Sequence, residues 1–254
     1  MPKPQSQMTL DARTPSAAQS PTAPSRRDVW RMFDRIAGRY DFLNRSLSLR
    51  QDVMWRRRLA QSLPAGTGLS VLDLATGTGD VLLQLCQDRG KVAHGVGVDM
   101  AANMLAIGKA KIRDRKLDGV LAITRGDASQ LAVRDAGFDA VTIAFGIRNV
   151  IDPAVVLREM RRALKDGGRA LVLEFSLPSN ALVRAAYLFY FRHVLPRIGA
   201  LISGDAHAYR YLNTTVESFP YGQAFCDLMV TAGFANVKRI PLTLGIATLY
   251  TGDK

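Results

Sequence analysis

Short, continuous apolar runs alternate with helical stretches through the middle of this chain, and that alternation constrains the fold more than any other feature. The runs are "LSVLDLA", "VAHGVGVDM", "GVLAITRGDA", "FDAVTIAF" and "GRALVLEFS", at 69–75, 92–100, 119–128, 138–145 and 168–176. Strands buried on both faces are apolar throughout, and helical connections make neighbouring strands parallel. The pattern therefore predicts an α/β protein with a mostly parallel sheet and helices on both of its faces.

The remaining pattern predicts further elements around this sheet. Four helices are expected: one at 80–87, one that follows the second strand and ends at Lys111, one at 153–164 and one at 221–232. The third begins at a proline and ends before Gly167-Gly168. After residue 176 the alternation stops, and an aromatic-rich helical insert runs to about Ile202. The final runs "ANVKRIPL" and "GIATLYTG" are expected to close the edge of the sheet as an antiparallel hairpin.

Composition shifts divide the chain into three predicted parts. Residues 1–25 are rich in Pro, Ser, Ala, Thr and Gln, which is typical of a disordered tail. A basic helical arm is expected at 26–63, and the turn cluster "PAGTG" separates it from a domain at 64–254. Within that domain, 177–220 is expected to cover a substrate.

The net charge and the cysteine content indicate the cellular compartment but do not identify the binding partner. The formal net charge is +12 and the pI about 10.1, so nucleic acid, a membrane face and a phosphate-bearing ligand all stay open, as does a merely solvated basic surface. Two cysteines and three histidines favour reduced, buried thiols and no metal site. Reduced thiols indicate a cytoplasmic protein. Charges interrupt the apolar segment at 180–203, so we expect it to cover a pocket or touch a bilayer rather than cross it.

Three stretches at the ends of successive predicted strands carry the signs of a nucleoside site. "VLDLATGTGD" places Gly77-Thr78-Gly79 between a strand and a helix, although Leu82 stands where the dinucleotide fingerprint has its third glycine. Asp99 follows about twenty residues later, where it can accept both ribose hydroxyls. Asp127 ends the third strand, where its carboxylate can reach an adenine amino group while Ala128 leaves room for the base.

These motifs resemble those of the class I S-adenosylmethionine-dependent methyltransferases, and within them the ubiquinone/menaquinone-biosynthesis C-methyltransferase family. The resemblance covers Val29 to the C-terminus through "MFDRIAGRYDFLNRSLSLRQDVMWRR", "LDLATGTGD", "FGIRNVID", "RRALKDGGRALVLEFSLP", "AYRYLNTTVESFP" and "GIATLYTGDK". Asp52 and Ala144 depart from the family pattern, which often has His and Ser there, as do Leu43, Asp166 and Tyr250. The resemblance implies a seven-stranded Rossmann-like sheet. It also implies S-adenosylmethionine as methyl donor, held by Tyr40, Gly77, Thr78, Gly79, Asp99, Met100, Met104, Asp127, Ala128 and Ala144.

The implied reaction is methyl transfer to a ring carbon of a polyprenyl hydroquinone, a step that needs a ring oxygen to become negative. Arg148 directly follows the fourth strand, where its guanidinium could stabilise that charge, although a surface salt bridge is the alternative. Tyr209 and Arg210 are further candidates on the substrate side, and Asp205 and His207 lie beside them. Tyr40 is expected to close on the cofactor or, alternatively, to pack the arm on the sheet.

The sequence leaves several alternatives open. The methyl acceptor could be demethylmenaquinol or a methoxy-benzoquinol. RNA is an alternative acceptor, although the chain shows no recognisable RNA-binding motif. A non-catalytic binding protein with the same fold is the rival from another class. We expect peripheral contact with an anionic membrane surface, on the inner face of the cytoplasmic membrane, and no nucleic-acid partner. Self-association stays open.

Overall fold

The computed structural model describes residues 28–88, 90–194, 197 and 215–254. Within these ranges the strands form one seven-stranded sheet in the order β3-β2-β1-β4-β5-β7-β6. The strands are β1 Leu69–Leu74, β2 Val92–Asp99, β3 Leu121–Arg125, β4 Phe138–Ala144, β5 Leu164–Phe175, β6 Ala235–Leu242 and β7 Ala247–Asp253. The helices are α1 Val29–Leu47, α2 Gln51–Gln61, α3 Asp80–Leu85, α4 Ala102–Asp114, α5 Pro153–Ala163, α6 Ala181–Phe189 and α7 Gln223–Thr231.

The sheet reverses its order between β1 and β4, which lie side by side at its centre. The pairs from β3 through β5 are parallel, whereas β7 pairs antiparallel with both β5 and β6. Ligands of open α/β sheets bind outside the carboxyl ends of the strands at such a reversal. The predicted Rossmann-like fold and its C-terminal hairpin are confirmed, with β7 placed inside the sheet and β6 at its edge.

The apolar runs form strands because both of their faces are buried. Leu72 and Ile143 lie in one core cluster with Leu157 of α5, and Val71 and Leu171 lie in another with residues of α2. Consecutive residues of one strand thus enter opposite clusters. This arrangement explains why these strands show no polar alternation.

The boundary between α5 and β5 differs from the prediction. The helix begins as expected, with the Asp152 carboxylate accepting from the Ala154 N–H and Pro153 in its first turn. It ends at Ala163, and the next residue, Leu164, already pairs with Phe138. The two glycines therefore lie in a bulge inside β5, where the register shifts, rather than at the end of the helix.

The arm helices pack tightly against the sheet and its helices. In α2, Trp55 and Leu59 are at most 4% exposed and belong to a core cluster that also contains residues of β1 and β5. In α1, Asp41 accepts from the Thr78 hydroxyl at 2.7 Å and pairs with Lys111. The predicted division between arm and domain stays a prediction, and the predicted tail lies outside the described residues.

The insert after β5 begins with α6, and a wider helical turn continues it from Tyr190 to Val194. The Asn180 side chain caps α6 by accepting from the N–H groups of Leu182 and Val183. No helix within the described ranges combines the length and the apolar character that crossing a bilayer requires.

Candidate active site

A cavity of about 290 Å³ lies at the carboxyl ends of the central strands. It collects most of the residues that the sequence assigns to the cofactor. Of these, the following line it: Tyr40, Gly77, Asp99, Met100, Met104, Asp127, Ala128 and Ala144. Helix α1, the ends of β1, β2, β3 and β4, and the segments that follow these strands bring the residues together.

Tight backbone packing shapes the floor of this cavity. Ala75 follows β1 and Phe145 follows β4, and both have positive φ angles, of 49° and 56°. A Cβ atom added to Gly146 would lie 2.5 Å from the Cβ of Ala75. Such conformations are costly for residues other than glycine and concentrate at functional sites. The two central strands therefore end in turns that only a small residue at position 146 allows.

Asp99 holds the glycine turn in place from the end of β2. One carboxylate oxygen accepts from the Gly77 N–H and the other from the Ala101 N–H, both at 2.8 Å. Burial is the largest influence on Asp99 and raises its pKa, and these backbone N–H groups act in the opposite direction. Each oxygen keeps a further lone pair, so the carboxylate can still accept two ligand hydroxyls.

Asp127 lies beyond β3 on the rim of the same cavity. Its Oδ1 accepts from both the backbone N–H and the hydroxyl of Ser129, at 2.8 and 2.7 Å. An adenine amino group would therefore have to meet Oδ2. Ala128 lies beside it on the cavity wall and leaves space for a flat base.

A buried acceptor in the same cavity has no partner of its own. Asn149 is 9% exposed, and its Nδ2 donates to the Phe145 carbonyl, but its Oδ1 has no hydrogen-bond partner within the described part of the chain. Buried polar atoms are nearly always satisfied, so this oxygen indicates a missing donor. A ligand with an ammonium or amino group and a diol fits the acceptor set of Asn149 Oδ1, Asp99 and Asp127.

A second cavity of about 480 Å³ lies between the arm and α6. Its walls are mainly apolar and aromatic, with a few polar groups from α1, α2 and the turn after β4. Its aromatic members are Phe33, Tyr40, Trp55, Phe145, Phe175, Tyr187, Tyr190 and Phe191. Phe145, Phe175 and Trp55 contact one another, with ring centroids 4.7–6.0 Å apart. Such a lining fits a flat, apolar ligand.

The two cavities share one wall. Phe33, Tyr40 and Phe145 line both of them, and the rings of Phe33 and Tyr40 meet edge to face at 5.9 Å. Burial raises the pKa of Tyr40, and a hydrogen bond between Asn44 and the Tyr40 hydroxyl acts in the opposite direction. A ligand in each cavity would therefore meet the other across these rings.

Arg148 lines the larger cavity and is buried, at 5% exposure, so the alternative of a surface salt bridge does not hold. Its Nη1 donates to Glu174 Oε1 at 2.6 Å and to the Phe145 carbonyl at 2.7 Å. The guanidinium carbon lies 5.2 Å from the centre of the Phe175 ring. Its Nε has no hydrogen-bond partner among the residues described. One donor of a buried cation is thus left for a ligand.

Other predicted residues lie elsewhere. Thr78 and Gly79 do not line either cavity, because the Thr78 hydroxyl points to the arm, donating to Asp41 and accepting from Lys111. Gly79 has a φ of 78° and precedes α3. Their predicted contact with the cofactor therefore does not involve these cavity walls. Tyr209, Arg210, Asp205 and His207 lie outside the described residues.

The sequence indicated Asp52 of α2 only as a departure from the family pattern, and its buried pair with Arg56 at the larger cavity was not predicted. Asp52, 3% exposed, accepts from Arg56 Nη1 at 2.6 Å and from the Ser48 hydroxyl at 2.8 Å. The i, i+4 spacing of Asp52 and Arg56 in α2 was the available signal. Glu174, the partner of Arg148, was also missed because it is 26 residues away in the sequence.

The strand order, the glycine turn and the cavity at the sheet reversal define a class I S-adenosylmethionine-dependent methyltransferase. A solved S-adenosylmethionine-dependent methyltransferase from Aquifex aeolicus superposes with a TM-score of 0.55 at 15% identity, over 78% of this chain and 88% of that chain. The model of the ubiE/COQ5 methyltransferase family matches residues 22–254, and the chain belongs to that family.

Two relatives agree with this membership. A ubiquinone/menaquinone biosynthesis C-methyltransferase of Geotalea uraniireducens is 45% identical over 226 residues, covering 89% of this chain and 96% of the relative. A demethylmenaquinone methyltransferase of Thermus thermophilus is 45% identical over 223 residues, covering 88% of this chain and 100% of the relative. The predicted family and the predicted class of enzyme, an S-adenosylmethionine-dependent C-methyltransferase, are confirmed.

Proposed function

We propose that this enzyme methylates a ring carbon of a polyprenyl hydroquinone, with demethylmenaquinol as the substrate and menaquinol as the product. The observation that carries the proposal is the pair of cavities that meet at Phe33, Tyr40 and Phe145. One cavity has hydrogen-bond acceptors for the hydroxyl and amino groups of a nucleoside, and the other has aromatic walls and a buried cation. The names of the Geotalea and Thermus relatives support quinol as the acceptor.

In this proposal the smaller cavity holds S-adenosylmethionine, which supplies an electrophilic methyl group on its sulfonium when bound. Asp99 accepts the ribose hydroxyls, and Asp127 Oδ2 meets the adenine amino group. Met100, Met104, Ala128 and Ala144 line the cavity around these groups. Tyr40 lies at the end nearest the larger cavity, where it orients the cofactor toward the acceptor.

The larger cavity holds the quinol ring. A ring carbon becomes nucleophilic when an adjacent hydroxyl loses its proton to water, because the oxyanion increases the electron density of the ring. The carbon–sulfur bond of the methyl group breaks as the new carbon–carbon bond forms, S-adenosylhomocysteine leaves, and the methylated carbon loses its own proton to water, which restores the aromatic ring. Arg148 is a cation whose Nε has no partner among the described residues, so it stabilises that oxyanion as it forms. The wall of Phe145 and Tyr40 holds the ring against the cofactor cavity and excludes water from the path of the methyl group.

One assay tests the proposed reaction. The purified enzyme is incubated with S-adenosylmethionine labelled in its methyl group and, separately, with reduced demethylmenaquinone or reduced 2-methoxy-6-polyprenyl-benzoquinone. Transfer of label to the naphthoquinol supports the proposal. Transfer to the benzoquinol alone would replace the substrate with its nearest alternative, and transfer to neither would refute quinol methylation.

Exposed apolar residues support contact with a membrane. Leu49 and Leu244 are 79% and 75% exposed, and both have left-handed backbones. Leu49 lines the larger cavity, and Thr243, which precedes Leu244, hydrogen-bonds Gln51 and Trp55 of α2. Leucines in this position would enter a bilayer beside the opening through which a prenyl chain must pass.

Vesicle flotation tests the membrane contact. The variant Leu49→Asn/Leu244→Asn should float with anionic vesicles less than the unaltered enzyme, and asparagine tolerates the left-handed backbone at both sites. Val230→Asn is the matched control, because Val230 is 58% exposed but lines neither cavity. Equal flotation of all three proteins, or none at all, would contradict the proposed surface.

A further inference from the structure

Tyr187 in α6 has a buried hydroxyl that the described part of the fold does not use. The residue is 8% exposed, its ring stacks on Phe191 at 5.1 Å, and both residues line the larger cavity. Its oxygen has no hydrogen-bond partner in the part of the chain that the structure describes. A buried hydroxyl costs free energy unless it is hydrogen-bonded, and the described part of the fold offers it no partner.

The carboxylates near Tyr187 are already engaged. Glu174 pairs with Arg148, and Glu217 pairs with Arg192. Burial raises the pKa of Tyr187 well above its usual value, mainly by disfavouring the phenolate, so the hydroxyl stays protonated at neutral pH. Tyr187 therefore presents a hydrogen-bond donor to the cavity, and no acceptor for it lies among the described residues.

Arg148 Nε is a second donor without a partner among the described residues, and it belongs to the same cavity. The Arg148 charge is close enough to Tyr187 to lower its pKa against the effect of burial. Two phenylalanines of the same cavity contact these residues. The guanidinium carbon of Arg148 lies 5.2 Å from the centre of the Phe175 ring, and Tyr187 stacks on Phe191. The cavity thus combines flat aromatic walls with two separate buried donors, and a ring with two oxygens matches this arrangement.

We propose that Tyr187 is a substrate-binding residue, whose hydroxyl donates a hydrogen bond to one ring oxygen of the quinol while Arg148 stabilises the other. This inference rests on the proposed function, because it takes the quinol as the ligand of the larger cavity. Tyr187 binds an oxygen that is present throughout the reaction, whereas Arg148 acts on the oxygen that becomes negative. Loss of the Tyr187 hydroxyl therefore raises the KM for quinol more than it lowers kcat.

The test compares Tyr187→Phe with the unaltered enzyme, using short-chain demethylmenaquinol. We expect the KM for quinol to rise about tenfold, equivalent to about 1.4 kcal/mol, with the Kd for S-adenosylmethionine unchanged. The melting temperature should stay the same or rise, since the change removes a buried hydroxyl that has no partner among the described residues. Tyr250→Phe is the matched control, because Tyr250 is 1% exposed, lines neither cavity and accepts from the Gly222 N–H at 2.7 Å. It should lower the melting temperature and leave the KM unchanged.

An unchanged KM in Tyr187→Phe would overturn the inference. If the melting temperature also falls, the hydroxyl has a partner inside the fold. If the unaltered enzyme methylates neither quinol, the proposed reaction is wrong. The Kd for demethylmenaquinol, measured by direct binding, then tests whether Tyr187 contacts the quinol. Trp55 lines the cavity and reports binding by its fluorescence. A tenfold weaker Kd in Tyr187→Phe would uphold the contact, whereas no binding by the unaltered enzyme would refute it.

Discussion

Replacing Arg148 alone should damage folding as well as catalysis, because its partner is buried. The side chains of Arg148 and Glu174 are 6% and 1% exposed, and their closest nitrogen and oxygen are 2.6 Å apart. Removing one member of such a pair leaves an uncompensated charge and costs about 3–5 kcal/mol. Typical proteins have about 5–15 kcal/mol of stability, so Arg148→Met should unfold at much lower urea concentration.

The double variant Arg148→Met/Glu174→Gln separates the two roles. Glutamine removes the buried charge, and its oxygen can still accept from the Phe175 N–H, which lies 2.8 Å from Glu174 Oε1. Urea denaturation should show that the double variant regains at least about 2 kcal/mol of the lost stability. Turnover should stay about 100- to 1000-fold below that of the unaltered enzyme, because the donor to the oxyanion is absent.

Turnover of the double variant decides the role of the arginine. If its turnover returns together with its stability, Arg148 serves the fold alone and the proposed oxyanion role is wrong. If Arg148→Met is as stable as the unaltered enzyme, the energetic argument about the buried pair is wrong instead.

Three further changes test other parts of the site. Gly146→Ala should lower stability by about 1–3 kcal/mol in thermal unfolding through overpacking, whereas Gly38→Ala, in an open position of α1, should preserve or raise it. Tyr40→Ala should weaken S-adenosylmethionine binding about tenfold by calorimetry, with the exposed Phe42→Ala as control, and an unchanged Kd would contradict the cofactor wall. Burial raises the pKa of Asp73 to about 7, so its contribution to stability is lost as the pH rises from about 4 to 7; Asp73→Asn should therefore raise the melting temperature more at pH 8 than at pH 4.5.

The sequence predicted the fold well because the central strands are buried on both faces. Continuous apolar runs, a proline at the start of α5 and a glycine turn after β1 are local signals, and each lies where it was expected. The start of β5 was less predictable. Leu164 joins the sheet by pairing with Phe138, a contact that depends on the neighbouring strand and not on its own sequence neighbours.

The site was predicted where a residue's position in a strand sets its direction. Asp99, Asp127 and Arg148 follow strand ends, so the topology alone brings them to one edge of the sheet. Thr78 differs because its hydroxyl is held by Asp41, 37 residues earlier, which no local pattern indicates. Tyr187 belongs to the insert that the sequence showed only as aromatic-rich, because a buried hydroxyl without a partner among the described residues can be recognised only from the structure.

The wall that the two cavities share also limits how substrate preference can diverge in this enzyme. A substitution at Tyr40 or Phe145 changes the surroundings of both ligands at once. A change there that favours a new methyl acceptor would therefore also affect the binding of the methyl donor. Val183 and Tyr187 of α6 line the larger cavity only. Directed evolution toward other acceptors should therefore accumulate its changes on α6 and spare the shared wall.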